Sequence, residues 1–257
     1  MKAQWDLVDE AAIPHDDATM YLRRRGNAWG IWVDDRQLMT NRLHGSEDAL
    51  ADLACDRLSE LETARILVGG LGMGFTLAAA LRRVGADGNV TVAELVPAVE
   101  GWNREHCGKA SGHPLRDSRT QVYAGDVGDL VENPGEPWSA ILLDVDNGPE
   151  ALTRPTNGWL YTDEGVQHAW SALIPGGVLA IWSAYPQSAG FTRRLQATGF
   201  VVEVVDHVEP YRSTLHGSDT IWLAAKHGGD PGSHGADPGS GPAAEGQTRP
   251  LRVRPGR

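Results

Sequence analysis

Three glycines at alternate positions, Gly70, Gly72 and Gly74, close an apolar run in ILVGGLGMGF. Glycine at such a turn lets the backbone bend tightly and approach a ligand beneath the N-terminus of the following helix. Glu94 ends the next apolar run, where a carboxylate can accept both hydroxyls of a ribose. A dinucleotide fingerprint, G-x-G-x-x-G, would need glycine at position 75, which is Phe75; Gly74 completes G-x-G-x-G instead. With no diphosphate to cradle, the tighter turn suits an adenosyl group that carries a sulfonium. A purely structural turn and a solvated Glu94 are the competing reading. The third run, VYAGD, ends in Asp126, placed either to accept from the exocyclic amine of an adenine or to cap a helix.

A fourth run, WSAILLD, leads into an acidic cluster, Asp144 and Asp146, followed by Asn147-Gly148-Pro149. Acids at the carboxyl end of a central strand lie where open α/β sheets bind ligands. Asp144 could face a sulfonium, hold an amine or take a proton, whereas Asp146 can equally cap the turn. Trp159, Tyr161, Trp182 and Tyr185 fall on segments that flank this cleft. They offer an aromatic pocket for a cationic or planar acceptor, or simply core. No metal site is expected: His168 has no second ligand at metal spacing, and Cys55 and Cys107 read as reduced thiols without a zinc pattern or a neighbouring base.

These residues need a scaffold, and the hydrophobic pattern supplies one. Short unbroken apolar runs at 65–68, 90–93, 121–123, 140–143, 178–182, 201–205 and 220–224 alternate with helical stretches at 75–84, 97–106, 163–173 and 189–198. That alternation predicts a doubly wound, mostly parallel seven-stranded α/β sheet of the Rossmann-like type. The last two runs follow each other without room for a helix, so the final strand should run antiparallel. Ahead of them, Ser46 is expected to cap a helix over EDALADLACDRLSEL, and two β-prone runs around Gly26-Asn27 predict a hairpin. The expected organisation is a small β element over 1–45, an S-adenosyl-binding domain over 46–226 and a disordered Gly/Pro-rich tail over 227–257.

With 41% hydrophobic residues the chain of 257 can bury an ordinary core. Its net charge of −11 disfavours nucleic acid and anionic membranes as partners, and points to a neutral or cationic small molecule. No leader-like apolar run opens the chain, so a cytoplasmic location is expected. Oligomeric state stays open, a homodimer included.

Residues 64–183 resemble the spermidine synthase group of class I S-adenosylmethionine-type transferases. The resemblance is carried by ILVGGLGMGFTLAAALRR, VTVAELVPAVEGWNR, the GD at 125–126, LLDVDNGP, LYTDEGVQHAW and PGGVLAIWS. It implies the methyltransferase-type fold, with Gly70, Gly72 and Gly74 lining the donor's sulfonium side, Glu94 its ribose and Asp126 its adenine. It also implies Asp144 as catalytic carboxylate, with Asp146 as the second candidate acid, and Tyr161 as a pocket wall. Three departures stand out. The family's GGGDGG loop has an Asp, the partner of the donor's aminopropyl amine, where this chain has Met73. Asp144 and Asp146 are two residues apart rather than three. The family's Tyr-His-Glu signature is missing where LHGSEDALADLA stands. On these departures the expectation is an S-adenosylmethionine-dependent methyltransferase acting on a small molecule, an amine among the candidates. The alternatives are an aminopropyltransferase that uses decarboxylated S-adenosylmethionine, and a non-catalytic nucleoside-binding protein.

Overall fold

A computed structural model describes residues 4–145, 155–208 and 219–228. The chain begins with an antiparallel sheet of β1 (Asp6–Ala12), β2 (Thr19–Arg25), β3 (Ala28–Val33) and β4 (Arg36–Thr40), in that order. The expected hairpin over Gly26-Asn27 is its centre, with Gly26 at φ 61°. The two outer strands were not foreseen. β1, DLVDEAA, is almost wholly exposed and has no alternation to mark it.

Helix α1 (Gly45–Cys55) leads to β5 (Arg65–Gly69), α2 (Phe75–Arg83), β6 (Asn89–Glu94), α3 (Pro97–Trp102), β7 (Thr120–Ala124), α4 (Val127–Glu132) and β8 (Trp138–Leu143). Then come α5 (Asp163–Ala172), β9 (Leu173–Ser183), α6 (Ala189–Thr198), β10 (Val201–His207) and β11 (Asp219–Ala225). Two corrections to the sequence reading concern α1. Its N-cap is His44 and not Ser46, whose hydroxyl donates instead to Glu47 at 2.8 Å, and the helix ends at Cys55 rather than running on to Leu61. Helix α4 had no counterpart in the sequence reading, because its six residues hold only Val127 and Val131 as buried positions.

The seven strands are ordered β10-β11-β9-β8-β5-β6-β7. β5 pairs in parallel with both β6 and β8, and β11 runs antiparallel to β9 and β10, as expected for the last strand. The chain winds outward from β5 in one direction to β7, then returns to β8 on its other flank. The sheet's switch point therefore lies between β5 and β8, and a crevice opens beyond their carboxyl ends.

Strand alternation sorts the core into two layers. Ile66, Val68, Ala140 and Leu142 face α1, α2, α3 and the N-terminal sheet, whereas Leu67, Ile141 and Leu143 face α4, α5 and α6. Thr162 and Ser188 cap α5 and α6 by accepting from Gly165 N and Phe191 N. Cys55 and Cys107 are buried free thiols. Among the described residues no helix is long and apolar enough to cross a membrane. The Gly/Pro-rich tail lies outside the described residues except for His227 and Gly228.

The N-terminal sheet is tied to the large one through Trp102, 2% exposed, whose indole Nε1 donates to Asp9 Oδ2 at 2.7 Å. Asp9→Ala removes little packing because Asp9 is exposed, but it strands that N–H. A loss of about 1–2 kcal/mol in urea-derived unfolding free energy is expected, and an unchanged midpoint would show that the tether contributes nothing.

Candidate active site

The glycine loop leaves β5 at the switch point with Gly70, Gly72 and Gly74 at φ 86°, 49° and 81°. A Cβ on Gly70 would overlap the Asp144 carbonyl oxygen, so here the loop and the end of β8 touch backbone to backbone. Gly74, in the left-handed region, is the N-cap of α2. The loop is then fastened from β6. Gly70 N donates to Ala93 O at 2.9 Å, and Leu71 N donates to Glu94 Oε2 at 3.0 Å. Glu94 Oε1 accepts from Val96 N at 2.8 Å. Glu94 thus holds the loop and its own turn in place.

Asp126 takes the capping role that competed with adenine recognition: its Oδ1 accepts from Gly128 N at 2.8 Å at the start of α4. Trp159 lies against this turn, 3.6 Å from where a Cβ on Gly128 would stand. Trp159 and Asp126 therefore sit together at the end of β7. Tyr161 lies elsewhere: its ring is 3% exposed, in the core of the α4–α6 face, 5.7 Å from the Phe191 ring centroid and edge-on to it. Asp146 falls outside the described residues.

Asp144 continues the face of β8 that carries Ala140 and Leu142, and so projects toward α2, where Thr76 Oγ1 donates to its Oδ2 at 2.7 Å. Burial lifts its carboxyl to about 6 against the pull of the Thr76 bond, and the nearby negative charge of Asp219 raises it further. Asp219, 2% exposed, begins β11 beside the end of β9. The third acid is Glu47, in the first turn of α1, pushed up to about 8 by burial first and then by the charge of Asp144. The segment LHGSEDALADLA, read as lacking an amine-binding signature, thus supplies a carboxylate to the site. Neither Glu47 nor Asp219 was singled out in the sequence. Glu47 looked like an ordinary first-turn acid, and Asp219 stood one residue ahead of the last apolar run with nothing to mark it.

Among the described residues no lysine or arginine forms an ion pair with Glu47 or Asp144. Nor do any described His, Cys, Asp and Glu groups converge tightly enough for a metal ion. Glu47 and Asp144 are thus desolvated acids without a paired cation among the described residues. Trp182 stands on the same face of β9, and its buried Nε1 has no hydrogen-bond partner among the described residues. Met73, at the position of the family's amine-binding Asp, is 0% exposed and part of the core.

No family model matches the chain. A polyamine aminopropyltransferase from Sulfolobus acidocaldarius is 29% identical over 121 residues, 47% of this chain, and the match spans only 39% of that relative's length. Spermidine synthase from Thermotoga maritima superimposes with a TM-score of 0.68 at 17% identity, over 86% of this chain and 72% of its own. A spermidine synthase in complex with the transition-state analogue AdoDATO gives 0.67 at 16% identity, over the same shares of 86% and 72%. The chain has a spermidine synthase-like fold, that of the class I S-adenosylmethionine-dependent transferases. The expectation of methyl transfer is corrected by these comparisons, because the curated relative is an aminopropyltransferase and the solved neighbours are spermidine synthases.

The raised carboxyls set a pH dependence. Glu47, at 4.5 in an open chain and about 8 when folded, holds its proton more tightly in the native state. Stability from this group is therefore complete below about pH 4.5 and declines as pH rises toward 8. Glu47→Gln, which never ionises, should match wild type near pH 5 and exceed it by roughly 1–3 kcal/mol at pH 8.5. Equal melting temperatures at pH 8.5 would show that Glu47 is solvated.

Proposed function

We propose that this chain transfers an aminopropyl group from decarboxylated S-adenosylmethionine to a small amine. The observation that carries the reading is the desolvated carboxylate group of Glu47, Asp144 and Asp219 beside the glycine loop. S-adenosylmethionine itself bears a carboxylate, which this cluster would repel. The decarboxylated donor ends in an ammonium, which the cluster attracts. The acid that Met73 replaces has counterparts here in Asp144 of β8 and Asp219 of β11, with Glu47 of α1 able to ionise once an ammonium arrives.

In this reading Gly70, Gly72 and Gly74 let the donor's sulfonium side approach the backbone. Glu94 accepts from its ribose hydroxyls, and Asp126 accepts from the adenine amine beside Trp159. Asp144, anchored by Thr76, orients the acceptor amine and takes the proton that its nitrogen must lose. The nitrogen's lone pair forms the new N–C bond while the C–S bond electrons return to sulfur, which leaves as neutral methylthioadenosine. A carboxyl raised to about 6 is ionised at neutral pH yet basic enough to assist. Asp146 and Tyr161 are secondary candidates, Asp146 for its closeness in sequence to Asp144 and Tyr161 for its place in the resembling segment.

Calorimetric titration with methylthioadenosine, S-adenosylhomocysteine and both donors tests the donor class. Decarboxylated S-adenosylmethionine and methylthioadenosine should bind at least about tenfold more tightly than their carboxylate-bearing counterparts. The reverse order would reject aminopropyl transfer. Asp144→Asn should lower turnover by a factor on the order of 10² to 10⁴ and change methylthioadenosine affinity little, and full turnover in that variant would make Asp144 a turn residue only.

A further inference from the structure

Helix α3 does not end cleanly after Trp102. The backbone widens into a π turn, Asn103–Cys107, and then tightens into a 3₁₀ turn, Gly108–Ser111. A π turn loses the regular i−4 ladder and persists where something else compensates, often at functional sites. What compensates here is contact with the glycine loop. Asn103, 2% exposed, donates from Nδ2 to Gly72 O at 2.8 Å and to Val99 O at 2.9 Å. Ser111 Oγ donates to Met73 O at 2.7 Å. Both amide hydrogens of Asn103 go to carbonyls, which fixes its orientation. Its Oδ1 is buried without a hydrogen-bond partner among the described residues, 3.4 Å from where a Cβ on Gly74 would stand.

Two successive loop carbonyls are thus drawn back toward segment 103–111. In a trans peptide the C=O and the following N–H point in opposite directions, so the N–H groups of Met73 and Gly74 turn away from that segment. Gly74 N is taken up by Leu71 O at 2.7 Å, which closes the loop on itself. Glycine at 70, 72 and 74 makes the loop able to adopt many conformations, and the two side-chain donors select one.

We propose that Asn103 and Ser111 are positioning residues for the donor, acting through the peptides at 72–74. Their hydrogen bonds set the orientation of the backbone against which the sulfonium end of the adenosyl group rests. The inference rests on the adenosyl-donor reading above and adds to it residues outside the glycine loop and the strand-end acids.

The test is calorimetric titration of the full chain with methylthioadenosine and with adenosine. The variants are Ser111→Val, Ser111→Thr, Ser111→Ala and Asn103→Ala, with Lys109→Ala, exposed in the same segment, as a control. Val and Thr have the same shape, but only Thr keeps the hydroxyl. Ser111→Val, Ser111→Ala and Asn103→Ala should weaken methylthioadenosine binding about tenfold. Ser111→Thr should stay within about twofold of wild type, as should Lys109→Ala. Adenosine, which lacks the sulfur substituent, should lose less. If Ser111→Val does not fold, Ser111→Ala against Ser111→Thr decides the matter. Equal methylthioadenosine affinity with and without the hydroxyl would overturn the proposal. Failure of wild type to bind either nucleoside would contradict the donor reading instead.

Discussion

Acidic groups held out of water at the carboxyl edge of the sheet are the constraint around which the site is organised. Glu47, Asp144 and Asp219 arrive from α1, β8 and β11, and they meet only because the seven-stranded sheet brings those elements to one edge. Helix N-termini supply a partial offset: Glu47 sits in the first turn of α1, and Thr76 in the first turn of α2 bonds to Asp144. That offset is incomplete, since both carboxyls stay raised. A bound ammonium group would lower them and recover the stability that their ionisation costs. Ligand binding and fold stability are in this way coupled through the same groups.

On the β6 and β7 side the polar groups act differently. Glu94 and Asp126 each hold backbone N–H groups, Glu94 those of Leu71 and Val96, Asp126 that of Gly128. They shape the loops that a nucleoside would contact before they contact it themselves. Removing Glu94 would therefore loosen the glycine loop as well as delete the proposed ribose partner. The Glu94 and Asp126 carboxylates preorganise their loops, while the Glu47 and Asp144 carboxylates remain electrostatically unsatisfied among the described residues. Preorganisation suits a nucleoside held in one pose, and unsatisfied charge suits the group that reacts.

Much of this was legible in the sequence, and the rest was hidden for physical reasons. The inner strands announced themselves because they are largely buried and read as apolar runs, and the short link before 220–224 foretold the antiparallel partner. The glycine loop, Glu94 and Asp126 followed from their places at strand ends. Strand β1 and helix α4 were missed because one is exposed and the other is short, so neither carries a period. Glu47, Asp219, Asn103 and Ser111 were missed because their roles come from tertiary contacts. Glu47 lies far from Asp144 along the chain, and Asn103 meets Gly72 across 31 residues of sequence. Tyr161, a pocket wall by resemblance, packs its ring edge-on against Phe191.

The most direct test of aminopropyl transfer is turnover followed by mass spectrometry. The full chain would be incubated with decarboxylated S-adenosylmethionine and a panel of linear diamines and polyamines, and in parallel with S-adenosylmethionine and the same amines. The account predicts methylthioadenosine together with an amine lengthened by one aminopropyl unit, in the decarboxylated series only. Release of S-adenosylhomocysteine with a methylated amine, and no methylthioadenosine from the decarboxylated donor, would contradict it.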